Sequence, residues 1–233
     1  LLYYTHRVFH RYSNHIKGEL LDETEQIEQQ FQESCAELRI SATNQDFLKT
    51  FLFPLRDKNA VTHFHYLHSL RVALLARAIG SFIHHEEKPL FFAAALHDLG
   101  KCQISRKILG KKGSWNDADQ QEIERHVMDG YRLLRGRFDI SAEIMLWHHR
   151  FQEDGYPDEL PPFLHRYRET TKLLIREYGR IVALADVYDA LHRVDAKHGI
   201  QRALTGDEIR KKMLELNPDR KKLVVALYGA HIL

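Results

Sequence analysis

Seven histidine and aspartate residues of this chain are candidate metal ligands, since imidazole and carboxylate groups bind metal ions in proteins. Six of the seven fall near the ends of predicted helices or among apolar neighbours, where an unpaired titratable group costs free energy. One such histidine is most simply explained as a buried imidazole bonded to a carbonyl. Seven groups on five predicted helices instead favour a shared metal centre. The candidates are His68, His97, Asp98, His126, His148, His149 and Asp186.

Imidazole and carboxylate ligands together suit Mn, Fe, Zn or Ni, and the presence of only two cysteines argues against a structural zinc knot. His97 and Asp98 are neighbours on a predicted helix, so their side chains should point about 100° apart and serve two adjacent metals. Asp98 would then bridge the two ions. Two metals about 3.5 to 4 Å apart share a hydroxide and stabilise an in-line displacement at phosphorus. The chemistry predicted from this pair is phosphoester hydrolysis.

The helices that position these residues can be predicted from apolar spacing, which is helical nearly throughout the sequence. We therefore predict an all-α protein. One helix should carry His68 on its buried face and end at Gly80. The apolar segment over residues 88–101 should be a buried helix with His97 and Asp98 in its last turn.

Three further segments complete the predicted set of ligand-bearing elements. Residues 117–136 are predicted as one helix with His126 in its apolar stripe. Ser141 is predicted to cap the next helix, which should end with His148 and His149. A long helix over residues 172–194 should hold Asp186 between core positions.

The N-terminal segment, residues 1–57, is predicted to be separate from a catalytic domain over residues 58–233. It is rich in Glu and Gln, and Leu20, Ile27, Phe31 and Leu38 recur at near-heptad intervals. This pattern predicts a helical hairpin, a linker or a helix that forms a homodimer. Pro54 should break the last helix of the segment.

Composition limits the classes of partner. The chain has 34 basic and 32 acidic side chains and a net charge of +2, which gives no support to a nucleic-acid partner and favours a small molecule. Cys35 and Cys102 are too few for a disulfide framework, which predicts a reducing compartment such as the cytoplasm. No apolar run approaches the roughly 20 residues that span a bilayer, and no signal-peptide pattern is visible.

Five motifs in order resemble those of a known family. The spaced H...HD...D pattern of His68, His97, Asp98 and Asp186 is similar to that of the HD-domain metal-dependent phosphohydrolases. HDLGK at 97–101, His126, the pair at 148–149, DGYP at 154–157 and ADVYDAL at 185–191 resemble the HD-GYP branch. The resemblance covers about residues 59–194. It implies an all-α HD-domain bundle that binds two or three metals and hydrolyses cyclic di-GMP or a related cyclic dinucleotide.

The resemblance also implies a role for each matched residue. His68, His97, Asp98 and Asp186 would bind one divalent metal, and Asp98, His126, His148 and His149 the other. Iron or manganese is expected, with zinc, nickel or magnesium as alternatives. Asp98 and Lys101 are the expected catalytic residues, Lys101 by offsetting charge on the phosphoryl group. The expected substrate contacts are Lys101, Arg150, Tyr156, Arg193 and Lys197.

The chain departs from the family pattern at three places. The loop reads HHRFQEDGYP where the family has HHExxDGxGYP, so Arg150 replaces a glutamate. Phe64 stands where some members have a glutamate ligand for a third metal, which predicts two metals here. HRVDAKHG follows the last motif in place of TSDRPYR, and Asp195 would repel phosphate.

These departures leave other functions open. One alternative is an HD phosphohydrolase that acts on another nucleotide phosphoester. A second is a catalytically silent signalling domain that binds nucleotide or metal. Arg166, Arg168 and Lys172 either replace the missing anion contacts or form a solvated basic face.

Overall fold

The protein is all-α, as predicted, in a computed structural model that describes residues 23–56, 60–111, 115–192 and 203–233. The α-helices of these residues are α1 (Glu23–Glu37), α2 (Ala42–Arg56), α3 (Ala60–Phe82), α4 (Glu87–Leu96), α5 (Arg106–Leu109), α6 (Asp117–Glu124), α7 (His126–Leu134), α8 (Asp139–Met145), α9 (Glu169–Leu191), α10 (Gly206–Leu216) and α11 (Lys221–Gly229). Short 3₁₀ helices cover Leu99–Gln103 and Pro218–Arg220.

Helix α4 lies at the centre of the bundle. All of its residues from Leu90 to Leu96 are buried, as expected for a helix that is apolar on every side. It packs against α3, α8 and α9, and α3 also packs directly against α9. The end of α4 therefore opens into the middle of the fold, where the candidate ligands lie.

The N-terminal helices α1 and α2 both pack on α3 of the bundle. Ile27 and Phe31 of α1 are buried in the same core as the bundle helices, and the Phe31 ring stacks on Phe91 with centroids 4.7 Å apart. Leu20 lies outside the described residues. The domain boundary at residue 57 and the homodimer stay predictions, but these two apolar side chains already have their partners within the chain.

Several predicted helix boundaries were wrong. The helix expected over residues 117–136 is divided at Arg125 into α6 and α7. Ser141 is buried inside α8, and Phe138 precedes that helix. The start of α8 has no side-chain cap, and Asp139 Oδ1 instead accepts a hydrogen bond from Gly136 N, before the helix, at 2.5 Å. Pro54 lies inside α2 and does not end it, although a proline at this position cannot donate to the carbonyl of Thr50 four residues earlier.

Helix α3 continues two residues past Gly80, to Phe82. Among the described residues, no helix has both the length and the apolar character that crossing a membrane requires.

Candidate metal centre

The structure brings all seven predicted ligands together in the interior. Each is at most 9% exposed. His68 comes from the middle of α3 and Asp186 from α9, which packs against it. The remaining ligands lie at or just beyond helix ends, and they reach the same region because α4, α7 and α8 converge there.

The seven residues form two groups whose candidate ligand atoms lie within 4.8 Å of one another inside each group. We call His68, His97 and Asp186 the first cluster. Asp98, His126, His148 and His149 are the second cluster. Both groups have the composition of nitrogen and oxygen donors that suits a divalent transition metal.

Asp98 lies between the two clusters. One carboxylate oxygen, Oδ2, is 3.5 Å from Nε2 of His68 and 3.5 Å from Nε2 of His97. The other oxygen, Oδ1, is 3.3 Å from Nε2 of His126. The two oxygens of one carboxylate therefore face different clusters.

The expected helical geometry of His97 and Asp98 was wrong in detail. Helix α4 ends at Leu96, His97 is its last residue with helical dihedrals, and Asp98 leaves the helix at φ −99°, ψ 8°. The turn into the following 3₁₀ helix, rather than a helical step of about 100°, directs Asp98 between the clusters.

Gly100 allows this turn to approach α7. A Cβ at position 100 would lie 1.9 Å from the carbonyl oxygen of His126 and 2.7 Å from Gly130 N. Both are backbone atoms, which cannot move aside as a flexible side chain can. The absence of a side chain at Gly100 thus allows Asp98 to reach His126.

Three of the histidines are oriented by helix ends. The Nδ1 atoms of His97, His126 and His148 lie 2.7, 2.6 and 2.5 Å from the carbonyl oxygens of Ala94, Ile123 and Met145. Each of those carbonyls belongs to the last turn of a helix, where carbonyls lack intrahelical partners. A carbonyl can only accept, so each Nδ1 donates and the neutral ring presents the lone pair of Nε2 to the interior.

The free Nε2 atoms point at one another in a way that fits a bound cation. His126 Nε2 and His148 Nε2 are 3.4 Å apart, yet neither carries a proton to share once both Nδ1 atoms donate to carbonyls. Among the described residues, His97 Nε2 and Asp98 Oδ1 are buried without a hydrogen-bond partner. Buried lone pairs left this way are costly unless a cation satisfies them. The clusters are therefore consistent with divalent metal binding.

Burial sets the charge state of the imidazoles. It lowers the pKa of His97, and it lowers the pKa of His148 to about 3, with the neighbouring imidazoles adding to the effect. The pKa of His149 is likewise well below its usual value because of burial. Neutral rings are the form that binds metals.

The carboxylates in the centre stay ionised. Burial alone would raise the pKa of Asp98, but the nearby charge of Lys101 opposes it, and the pKa is held well below its usual value. Lys101 Nζ lies 2.5 Å from Asp98 Oδ2. The only cationic side chain paired with the clusters, within the described part of the chain, is this lysine at the carboxylate between them.

Asp189 and Arg71 support the first cluster, and the sequence analysis missed both. Asp189 Oδ2 is 2.7 Å from His68 Nδ1, and its Oδ1 accepts from Arg71 Nε at 2.6 Å. Asp189 is 2% exposed, and the bonds to Arg71 and His68 hold its pKa below the usual value despite burial. Both residues lie three positions after a ligand on the same helix, which places them on the same face. This three-residue spacing from a predicted ligand was the pattern in the sequence that could have indicated Arg71 and Asp189.

The segment after His149 folds over the second cluster. The Tyr156 ring stacks on His149 with centroids 4.5 Å apart and is 8% exposed. The Gln152 side chain approaches His149 Nδ1 at 3.2 Å, a contact that sequence reasoning also missed. Arg150 donates hydrogen bonds to carbonyls of its own loop. Arg193 and Lys197 lie outside the described residues.

Comparison with known proteins defines the family. The HD domain model matches residues 66–191, which is more than half of the chain. The chain belongs to the HD domain family. All seven candidate ligands fall within the matched range.

Three relatives of known function each match about half of this chain. The cyclic di-GMP phosphodiesterase response regulator RpfG of Xanthomonas campestris is 40% identical over 111 residues, which cover 46% of this chain and 27% of that protein. A cyclic di-GMP phosphodiesterase of Thermotoga maritima is 37% identical over 43% of this chain and 26% of its own length. The 3'3'-cGAMP-specific phosphodiesterase 2 of Vibrio cholerae is 32% identical over 52% and 22%. These relatives support the HD-GYP-like branch, although the matched segments span only about a quarter of their length.

Solved structures of HD domains share the fold. The HD domain of the L. monocytogenes phosphodiesterase PgpH matches with a TM-score of 0.54 and 18% identity, over 78% of this chain and 95% of that one. Its complex with cyclic-di-AMP matches with a TM-score of 0.52 and 19% identity, over 78% and 93%. At this identity the likeness concerns the fold alone.

Proposed function

We propose that this HD domain is a metal-dependent phosphodiesterase that hydrolyses a cyclic dinucleotide, cyclic di-GMP or a close relative. The observation that carries the proposal is the arrangement of two histidine and carboxylate clusters around Asp98, with Lys101 beside it. The relatives that act on cyclic di-GMP and on 3'3'-cGAMP support the substrate class.

The seven cluster residues would hold two divalent ions, which we expect to be iron or manganese, and Asp98 would be a ligand because its two oxygens face the two clusters. Such ions supply an activated water and neutralise charge on the phosphodiester. Stacking of Tyr156 on His149 and the burial of the clusters keep bulk water away from these charges. A low-dielectric surrounding strengthens each of the electrostatic contacts.

Lys101 would act on the substrate directly. Its ammonium group already lies at the carboxylate between the two clusters, so it is positioned next to any phosphate bound there. As water adds to phosphorus and the P–O bond to the ribose oxygen breaks, negative charge develops on the phosphoryl oxygens. A fixed ammonium group at hydrogen-bond distance stabilises that charge more than it stabilises the ground state. One proton of the attacking water ends on the departing ribose oxygen, which becomes a hydroxyl, and the remaining oxygen and hydrogen of the water stay on the phosphate.

The test is metal content followed by hydrolysis on the same sample. Protein purified without oxygen, which preserves ferrous iron, is assayed for Fe, Mn, Zn and Ni per chain and then incubated with cyclic di-GMP, 3'3'-cGAMP, a linear dinucleotide and a nucleoside monophosphate. Two ions per chain with cleavage of a cyclic dinucleotide is the expected result. Metal with cleavage of only the linear or mononucleotide substrates moves the proposal to another phosphoester. Absence of metal and of cleavage overturns it and favours a silent signalling domain.

A further inference from the structure

The loop over residues 150–158 is closed by the residue that begins it. Arg150 Nη1 donates to the carbonyl oxygen of Pro157, and the same nitrogen donates to the carbonyl oxygen of Asp158 at 2.8 Å. One side chain thus spans the loop and joins its first residue to its last two.

The loop backbone is folded tightly onto its own start. A Cβ at Gly155 would lie 2.7 Å from the carbonyl oxygen of Arg150 and 2.8 Å from that of His149. Those backbone atoms cannot retreat without moving His149, a member of the second cluster. The close approach at Gly155 and the hydrogen bonds of Arg150 therefore hold the same loop against its own first residue.

Tyr156 is the residue that this closure places over the cluster. It stands between Gly155 and Pro157, the two points at which the loop is held. Its ring stacks on His149 at an interplanar angle of 28° and lies 6.0 Å from the His126 ring, centroid to centroid. The position of this ring follows from the backbone on either side of it.

Arg150 directs its bonds to neutral carbonyls rather than to a carboxylate. Within the described part of the chain it forms no ion pair, and its guanidinium carbon lies 5.9 Å from the centroid of the Trp147 ring. Arg176 lies 5.1 Å from that same ring but has no hydrogen bond to the loop carbonyls in the described structure. Proximity to Trp147 is therefore shared by two arginines, whereas the loop contact belongs to Arg150.

We propose that Arg150 is a positioning residue. It locks the 150–158 loop in the conformation in which Tyr156 covers His149, and this cover slows the loss of metal from the second cluster. The inference rests on the proposed metal centre. It differs from the sequence-based expectation that Arg150 contacts substrate. A substrate contact acts only when substrate is present, whereas a loop lock acts on the protein alone.

The experiment uses three variants of the full chain. Arg150→Met removes the donors and keeps the length, and Arg150→Lys keeps an ammonium that can serve both carbonyls, because both bonds come from one nitrogen. Arg176→Met is the matched control at the same tryptophan. Without substrate, the rate at which a chelator removes metal is expected to rise by about 10- to 100-fold in Arg150→Met, as for other residues that support ligands. It should stay near the wild-type value in Arg150→Lys and Arg176→Met.

A double-mutant cycle tests whether Arg150 acts through Tyr156. Tyr156→Ala alone should also speed metal release, and adding Arg150→Met to it should change little, because coupled residues are not additive. Independent, additive effects overturn the inference. So does a wild-type release rate in Arg150→Met combined with a raised KM, since that result assigns Arg150 to the substrate.

Amide hydrogen exchange in the metal-free protein separates this inference from the proposed function. Faster exchange over residues 150–158 in Arg150→Met, with the helices unchanged, supports the lock even if the wild-type protein were to hold no metal. Unchanged exchange overturns it. If Arg150→Met fails to fold, as judged by helical content, Arg150→Gln and Tyr156→Ala are compared with Arg150→Lys in the same two assays. If Arg150→Gln and Tyr156→Ala then both show the wild-type rate of metal release and the wild-type rate of amide exchange, the inference is overturned.

Discussion

The two clusters differ in what holds their ligands. In the first cluster, His68 projects from the middle of α3 and Asp186 from the C-terminal part of α9, and Asp189, paired with Arg71, fixes the His68 ring. In the second cluster, His126 and His148 follow helix ends and are fixed by backbone carbonyls. His97 of the first cluster is also fixed by a backbone carbonyl, so the difference between the clusters lies at His68, which a supporting carboxylate holds, whereas His126 and His148 depend on how the backbone turns.

Asp98 belongs to both regions, so its loss should have the largest effect. In Asp98→Ala we expect the loss of both metals and of detectable hydrolysis, because the carboxylate shared by the two sites is removed and several kcal/mol of charge stabilisation go with it. Metal analysis and a hydrolysis assay measure this. Asp129→Ala, which removes a buried carboxylate paired with Arg125 and Arg132, is the control. Substantial activity in Asp98→Ala would rule out a two-metal centre.

Gly100→Ala tests the backbone that supports the second cluster. The added Cβ would meet backbone atoms of His126 and Gly130, so we expect a loss of about 3 kcal/mol of stability, at the upper end for overpacking, with weaker metal binding at the second cluster. Gly80→Ala is the matched control, because its Cβ meets only the tip of Leu90 and alanine favours the helix. Denaturant unfolding of the two variants measures the difference. Equal stabilities would contradict the close approach at Gly100.

Lys101→Ala should leave both clusters filled and slow the chemistry. Turnover is expected to fall on the order of 10²-fold, since a charge that stabilises the transition state is lost while every metal ligand remains. Lys111→Ala, which removes an exposed lysine paired with Asp119, is the control. The kcat of each variant at saturating substrate, with metal content measured in parallel, is the readout. A fall in metal content equal to the fall in kcat would assign Lys101 to metal retention instead.

Asp189→Asn tests the side-chain support of the first cluster. We expect metal affinity there to weaken by about 10- to 100-fold while the second cluster keeps its ion, because only His68 loses its orienting carboxylate. Asp219→Asn is the control, since Asp219 also pairs with an arginine, Arg180, away from the clusters. Titration of the metal-free variants measures the two sites. Equal weakening of both clusters would show that the distinction between them is wrong.

Much of the site could be predicted because ligand types and their order along the chain are local information. His68 and Asp186 lie on helices whose apolar faces are readable, and both are buried as expected. The break at Arg125 and the exit of Asp98 from α4 were not predicted. These turns are decided by contacts between segments, such as Gly100 against α7, that no local pattern records.

The sequence by itself determined the helical class, the family and the seven candidate ligands, because helical periodicity and motif spacing are properties of neighbouring residues. Only the tertiary structure decided that one Asp98 oxygen faces each cluster, that Asp189 holds His68, and that Arg150 is bonded to its own loop. The physical reason is that hydrogen bonds between distant residues depend on how the helices pack, and packing is settled by the whole core at once.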